Sequence, residues 1–233
     1  MENKIIKLSV VLPAYQEAEN LSVILPKIKD GLNQLNINYE IIVVDTLRAM
    51  DDTKDICLDN SVVYLNRDNG NNYGDAIRTG IKNATGEFFV FMDADGSHSP
   101  EFIKKLYSHR NDADVVIASR YVKGGNTENS KILILMSLAI NILYSSILNL
   151  KCKDVSNSFK LYRSDQLKDL SLNCNNFDIV EEIMFKLKKK NKSIKFLELP
   201  YTFKKREFGK TKRNLFLFAI TYVITILKLR FGK

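Results

Sequence analysis

Asp93 and Asp95 stand one residue apart in FFVFMDADGSHSP (residues 88–100), directly behind four apolar residues and Met92. Two carboxylates this close repel each other unless a cation is shared between them. Hard oxygen ligands suit Mg2+ or Mn2+, which bind one or two carboxylates and complete their shell with substrate phosphates. Taken alone, a D-x-D pair is usually a loop feature. Further along the chain, Arg67, Arg120, Arg206, Lys210 and Lys212 offer positive charge for a phosphate, and Gly209 sits in a basic segment that could close over a ligand. Each cation by itself reads as solvated surface. Joined to a metal pair, they describe a receptor for a diphosphate, with metal and basic side chains stabilising a leaving group. No Walker A and no G-x-G-x-x-G pattern is present. Of the two histidines, His98 adjoins the acidic pair and is placed to tune it, whereas His109 reads as surface.

The elements that must carry these residues alternate. Apolar or β-branched runs at 7–12, 39–45, 62–65, 87–93 and 114–119 predict strands buried on both faces. Helical patterns lie between them at 20–36, 52–60, 72–84 and 100–109, with Gly86 expected as a C-cap and Ser99-Pro100 as an N-terminal pair. This alternation predicts an α/β fold with a Rossmann-like, doubly wound, mainly parallel sheet and helices on both faces. Such sheets bind ligands at the carboxyl ends of their strands. PAYQE (13–17), Asp45, NRDNGNNYGD (66–75) and DADGSH (93–98) all fall at that edge. Random placement would scatter them over both ends of the strands.

The chain has 233 residues, 45% of them hydrophobic, enough for a full core in one domain over 1–213 followed by a C-terminal helix, 214–233. Cys57, Cys152 and Cys174 are scattered, as free thiols of a reducing compartment would be, and MENKIIKLSVVLP lacks the apolar core of a signal peptide. A cytoplasmic protein is therefore expected. The formal charge of +8 suits nucleic acid, anionic lipid or phosphorylated small molecules. Two apolar segments argue against nucleic acid, because the basic residues accompany apolar surface and no recognition motif. ILILMSLAINILYSSILNL (132–150) carries Ser137, Asn141, Ser145 and Asn149 at four-residue spacing, a narrow polar stripe on a helix. It reads as a buried core helix, as a helix at a membrane interface or, least simply, as a span. The basic KKREFGKTKR (204–213) precedes a second apolar helix with Thr221, Thr225 and Lys228 on one side, a combination suited to an anionic cytoplasmic leaflet; the alternative is a helix that packs on the sheet or on a second subunit of a homo-oligomer.

Taken together, VVLPAYQEAENL, YEIIVVD, GNNYGDAIRTGIKNATGEFFVFMDADGSHSPE, DVVIASRYVKGG, DVSNSFKLYR and ELPYTFKKREFGKTK resemble, in order and spacing, the inverting glycosyltransferases of the GT-A fold, family 2. The resemblance is to the dolichol- and polyprenyl-phosphate mannosyltransferase type and runs from about residue 8 to 212. It implies a nucleotide-diphosphate sugar donor (a GDP- or UDP-sugar), a polyprenyl-phosphate acceptor, a divalent metal and peripheral contact with the cytoplasmic face of a membrane. Pro13, Ala14, Tyr15, Glu17, Asp45 and Asp75 would then bind the nucleotide-sugar together with Asp93. Asp93, Asp95 and Ser97 would hold the metal. Arg120, Lys131 and Ser137 would face the acceptor phosphate, and Arg206 and Lys210 would close over the substrates. Asp154 and Glu182 also match family positions. The chain departs from the pattern after the second strand, where DTLRAMDDT replaces DDGSxDGT and leaves the donor base open, and at Ser158, where Gly is common.

A phosphate acceptor is ionised at neutral pH and needs no general base, so catalysis would rest on alignment and on neutralising the departing diphosphate. One rival keeps the fold and uses a sugar hydroxyl of a polysaccharide or glycolipid, with Asp154 or Glu182 as base. Another is a catalytically silent nucleotide-sugar- or membrane-binding regulator.

Overall fold

A computed structural model describes residues 5–206, 208 and 215–231. In chain order the strands are β1 (Leu8–Pro13), β2 (Tyr39–Asp45), β3 (Val63–Asn66), β4 (Phe88–Phe91), β5 (Val115–Ser119), β6 (Asn126–Thr127), β7 (Lys160–Arg163), β8 (Phe196–Pro200) and β9 (Thr202–Phe203). The helices are α1 (Ala18–Asn33), α2 (Thr53–Asp59), α3 (Tyr73–Asn83), α4 (Phe102–Ser108), α5 (Lys131–Ile147), α6 (Ser164–Lys168), α7 (Ile179–Lys190) and α8 (Leu215–Phe231). Seven strands form one sheet in the order β3-β2-β1-β4-β7-β5-β8, and β6 pairs with β9 alone. All pairings are parallel except those of β7, which runs antiparallel to both β4 and β5. The expected mixed, mainly parallel sheet is the one observed.

Alternation along the strands divides the apolar side chains between two cores. Leu8, Val10 and Leu12 join Ile41, Val43, Phe88 and Val90 under α1 and α4, while Val11, Ile42, Val44, Phe89 and Phe91 meet α3 and α7 on the other face. Both faces are covered, which is why these strands read as continuous apolar runs.

Two local expectations are corrected. α3 ends at Asn83 with Ala84 as its C-cap, and Gly86 is no cap: its N–H donates to Ser9 Oγ (2.8 Å) and a Cβ there would lie 2.7 Å from the Ser9 backbone nitrogen. Glycine is needed for close approach to β1, not for a helix end. Ser99 does not cap α4 either. The helix begins at Phe102, and the Ser99 N–H is taken by the Tyr201 hydroxyl (2.7 Å).

The reading of 132–150 as a buried core helix is overturned. Asn141 and Tyr144 are buried inward, whereas Ile132, Leu135 and Ile142 are exposed outward at 71%, 66% and 57%. The polar stripe is thus the docked side, and the apolar side faces out. Asn149, with φ of 51°, lies beyond the helix end. On α8, Thr225 is buried, donating to Asp178 Oδ2 (2.5 Å), while Val223, Leu227, Lys228 and Phe231 are exposed. Thr225 and Lys228 therefore do not share one environment. Tyr144 on α5 donates its hydroxyl to the Tyr222 carbonyl (2.9 Å), joining the two helices. Among the described residues, no helix is long and apolar enough to cross a membrane.

Under these helices lie two fully buried titratable groups, Glu181 and Lys160. Burial pushes Glu181 up to about 8 and Lys160 down to about 8. A glutamate whose folded pKa is raised contributes stability that is present below its ordinary value and lost as pH rises through the folded one. Glu181→Gln, permanently neutral, is therefore expected to match the parent protein in thermal unfolding near pH 5 and to exceed it at pH 8. A difference that does not change with pH would contradict this.

Candidate active site

β1 pairs with β2 on one side and β4 on the other, so the chain reverses its winding between β1 and β4. At that switch point, beyond the carboxyl ends of the strands, lies a cleft of about 590 Å³. Pro13, Ala14, Tyr15 and Glu17 line one wall, Asp93 and Asp95 the floor, and Tyr73, Phe177 and Arg206 the remaining sides. Five separate segments of sequence meet here, around 13–17, 73, 93–95, 177 and 206.

The two carboxylates are held differently. Asp93 Oδ1 accepts from the Ser158 hydroxyl (3.0 Å) and the Tyr73 hydroxyl (3.4 Å). Its backbone N–H donates to His98 Nδ1 (2.9 Å). Asp95 Oδ1 accepts from the Ser97 N–H (3.0 Å) and hydroxyl (2.5 Å), and Oδ2 faces Arg206 (3.1 Å). Burial would raise the Asp95 pKa, but the Ser97 bonds and nearby positive charge outweigh it and hold the carboxyl below its usual range. Arg206 also reaches Glu17 Oε1 (3.2 Å), so one guanidinium bridges the two walls of the cleft. That bridge supplies the positive charge that the acidic floor requires.

His98 is fully buried, stacked on Phe159 with ring centroids 4.6 Å apart, and burial lowers its pKa. Because Nδ1 accepts from Asp93, the proton sits on Nε2 and is given to Asn157 Oδ1 (3.2 Å). A neutral imidazole thus fixes the backbone of the acidic pair.

A single loop, residues 154–160, supports most of this. Asp154, fully buried, grips Arg120 through Nε (2.9 Å), Nη2 (2.7 Å) and the backbone N–H (2.8 Å). Burial opposes both charges, yet each raises the other's ionised form: the guanidinium pKa lies above its usual value and the carboxyl below. Removing one partner of such a buried pair costs about 3–5 kcal/mol. Ser156 Oγ accepts from Arg120 (3.0 Å), Asn157 Nδ2 donates to the Ala118 carbonyl (2.6 Å), and Ser158 reaches Asp93. Below the loop, Lys160 donates to the carbonyls of Val155 (2.9 Å) and Asn157.

The other residues expected at the site fall as follows. Asp45 is fully buried and does not line the cleft; Oδ2 accepts from the Tyr64 hydroxyl (3.0 Å). Asp75 is used within α3, accepting from the Asn72 N–H (3.2 Å) and pairing with Arg78 (2.8 Å). Lys131 is exposed at the start of α5, and Ser137 accepts from Asn141. Arg67 is buried, donating to the Ala14 carbonyl (2.5 Å), so it ties the 66–75 loop to the first wall. Lys210 and Lys212 lie outside the described residues. Glu182 does not face the cleft; it accepts from the Asn173 and Cys174 N–H groups (3.0 and 2.8 Å) and pairs with Lys186 (2.6 Å). The altered loop after β2 is well tied: Asp51 accepts from the Ala18 N–H at the start of α1 (3.0 Å), and Leu47 N–H donates to Asn71 Oδ1 (2.8 Å).

Sequence reasoning missed the wall formed by Tyr73 and Phe177, whose rings stack at 4.2 Å and 21°. The segment carrying Phe177 reaches the cleft because Gly74 donates to the Asn175 carbonyl (2.7 Å), and a Cβ on Gly74 would lie 2.9 Å from Asn175 Cα. That glycine was the available signal, although its partner lies about a hundred positions away.

A divalent metal fits the donor set. Among the described residues no group of three His, Cys, Asp or Glu side chains is gathered for a metal. Two carboxylates on the floor of an open cleft instead suit Mg2+ or Mn2+, which take substrate phosphates as further ligands. Ser97 lies against Asp95 and orients it.

Residues 9–171 match the family described as Glycosyl transferase family 2. Dolichol-phosphate mannosyltransferase of Pyrococcus furiosus is 34% identical over 88% of this chain, which spans 59% of that relative's length. Undecaprenyl-phosphate mannosyltransferase of Micrococcus luteus is 30% identical over 88% of this chain and 86% of that protein. Among solved structures, glucosyl-3-phosphoglycerate synthase from Mycobacterium tuberculosis, in complex with Mn2+, uridine-diphosphate and phosphoglyceric acid, superposes with a TM-score of 0.76 at 16% identity. The match covers 98% of this chain and 80% of that one. The same enzyme has been solved with Mg2+ and uridine-diphosphate, with a TM-score of 0.73 at 15% identity over 97% of this chain and 79% of that one. The fold is GT-A.

If Asp93 and Asp95 receive a metal-bound diphosphate, UDP or GDP should raise the melting temperature more with Mn2+ than without. At a hundredfold excess over Kd the gain is about 2.7 kcal/mol. Asp95→Asn should remove the metal-dependent part of the shift; retention of that part would contradict the assignment.

Proposed function

The chain belongs to glycosyl transferase family 2, and we propose that it moves a sugar from a nucleotide-diphosphate sugar to a polyprenyl phosphate with inversion. Three relatives support the acceptor class by name: they are dolichol-phosphate, undecaprenyl-phosphate and polyprenol-monophosphate mannose enzymes. The observation that carries the reading is the state of Asp154. A hydroxyl acceptor needs a carboxylate free to take its proton, and Asp154 is buried and committed three times to Arg120. Glu182 is likewise engaged on backbone amides and Lys186. A phosphate arrives ionised and asks only for a cation; Arg120, largely buried against Asp154 and beside the cleft rather than lining it, is the cation this reading assigns to it.

On the donor side, Pro13 to Glu17 give the nucleotide its wall, and Asp93 and Asp95 hold the metal. When bound, that cation neutralises the diphosphate as it departs. Arg206, which bridges Glu17 and Asp95 across the cleft, would be in reach of the same leaving group. Ser158, Tyr73 and Ser97 keep the carboxylates aimed, so the site need not reorganise during transfer.

The outward apolar faces of α5 and α8 give the lipid a reason to approach this surface. A chain that acts on polyprenyl phosphate needs peripheral contact with a membrane, here the cytoplasmic leaflet, and Ile132, Leu135, Val223 and Leu227 supply apolar area for it. The expected result is direct: purified protein with Mg2+ or Mn2+ transfers label from a GDP- or UDP-sugar into a lipid-phosphate fraction, and the product anomer is inverted relative to the donor. Label appearing only on a glycan hydroxyl, or in no product with any nucleotide-sugar, would overturn the proposal.

A further inference from the structure

We infer that Asn141 on α5 is a positioning residue for the acceptor phosphate, a role that rests on the polyprenyl-phosphate reading above. Along α5, only Asn141 and Tyr144 are buried, and Asn141 is 1% exposed. Its amide is engaged at both ends. Nδ2 donates to the Ser137 carbonyl (2.8 Å) and to Ser156 Oγ (3.0 Å), and Oδ1 accepts the Ser156 N–H (2.9 Å). A buried amide left unpaired is costly, so these bonds hold α5 to the loop in one register.

Apolar contact alone would not do this. A helix whose docked side were wholly apolar could rotate or slide with little penalty, whereas one buried amide with a fixed partner specifies its register. The partner matters as well. Ser156 Oγ also accepts from Arg120 Nη2 (3.0 Å), so Asn141 and Arg120 meet on the same oxygen. Asp154 fixes the near side of the guanidinium and Ser156 its outer edge. The consequence is a rigid link from the helix with the exposed apolar face to the cation that receives the acceptor's phosphate. Seating α5 on a lipid surface and placing Arg120 become one event.

Two variants test it. Asn141→Leu keeps the volume and removes the whole pin. Ser156→Ala keeps its N–H bond to Asn141 and loses only the shared hydroxyl. With a polyprenyl phosphate in detergent, Asn141→Leu should raise the acceptor KM about tenfold and leave the nucleotide-sugar KM unchanged, with Ser156→Ala between it and the parent. Hydrogen–deuterium exchange should become faster in the peptide covering 154–159 and stay as in the parent over 8–13 and 88–91. Equal losses on both substrates would mark Asn141 as merely structural and overturn the inference, as would an unchanged acceptor KM. If Asn141→Leu does not fold, Ser156→Ala alone decides, by the same split between the two KM values. If the parent protein transfers to no lipid phosphate, the functional reading fails. The exchange measurement then still judges the pin, and unchanged exchange over 154–159 would refute it.

Discussion

A buried ammonium governs the geometry of this site. Lys160 enters the core on β7 with no solvent exposure, and its protons go to the carbonyls of Val155 and Asn157. Burial lowers its pKa only to about 8, so it remains charged at neutral pH and its need for acceptors is strong. Satisfying it folds residues 154–160 into one shape. From that shape Asp154 and Ser156 meet Arg120, Asn157 meets His98, and Ser158 meets Asp93. Arg120 and Asp93, the proposed acceptor cation and the first of the proposed metal carboxylates, are thus both contacted by neighbouring residues of one loop, and their separation is set by backbone rather than by flexible side chains.

The cleft itself is organised by charge. Asp93, Asp95 and Glu17 converge on the cleft proposed to admit a diphosphate, and Arg206 spans Glu17 and Asp95 there. The segment that carries Arg206 is laid along the site by backbone bonds, Lys204 N–H to the Ser97 carbonyl (3.1 Å) and the β6–β9 pair.

Much of this was legible in the sequence. Five of the six parallel strands of the large sheet were visible as apolar runs, the central ones because both faces are covered, while β8 was not anticipated; the polar groups at the carboxyl ends of the first four marked the ligand edge. Asp93 and Asp95 could be read because strand and turn adjoin in sequence. β7 was hidden: KLYR is four residues long with a charge at each end, and only the tertiary partners of Lys160 explain its burial. α5 was legible as a helix but not in its orientation. Hydrophobicity alone sends Ile132 and Leu135 inward, and the reverse holds because Asn141 has a loop to bind. Asp45 could be placed at the strand end but not outside the cleft, since Tyr64, 19 positions later, takes its carboxylate. Contacts such as Arg120 with Asp154 join residues 34 apart, and no local pattern announces them.

The claim that one loop sets both halves of the site is tested most directly by Lys160→Met, which retains length and apolar volume and loses both carbonyl bonds. Nucleotide-diphosphate affinity in the presence of Mn2+ and lipid-phosphate KM would be measured on the same folded protein. The account predicts that both weaken together in Lys160→Met and largely recover in Lys160→Arg. A folded Lys160→Met protein with both values at the parent level would contradict it.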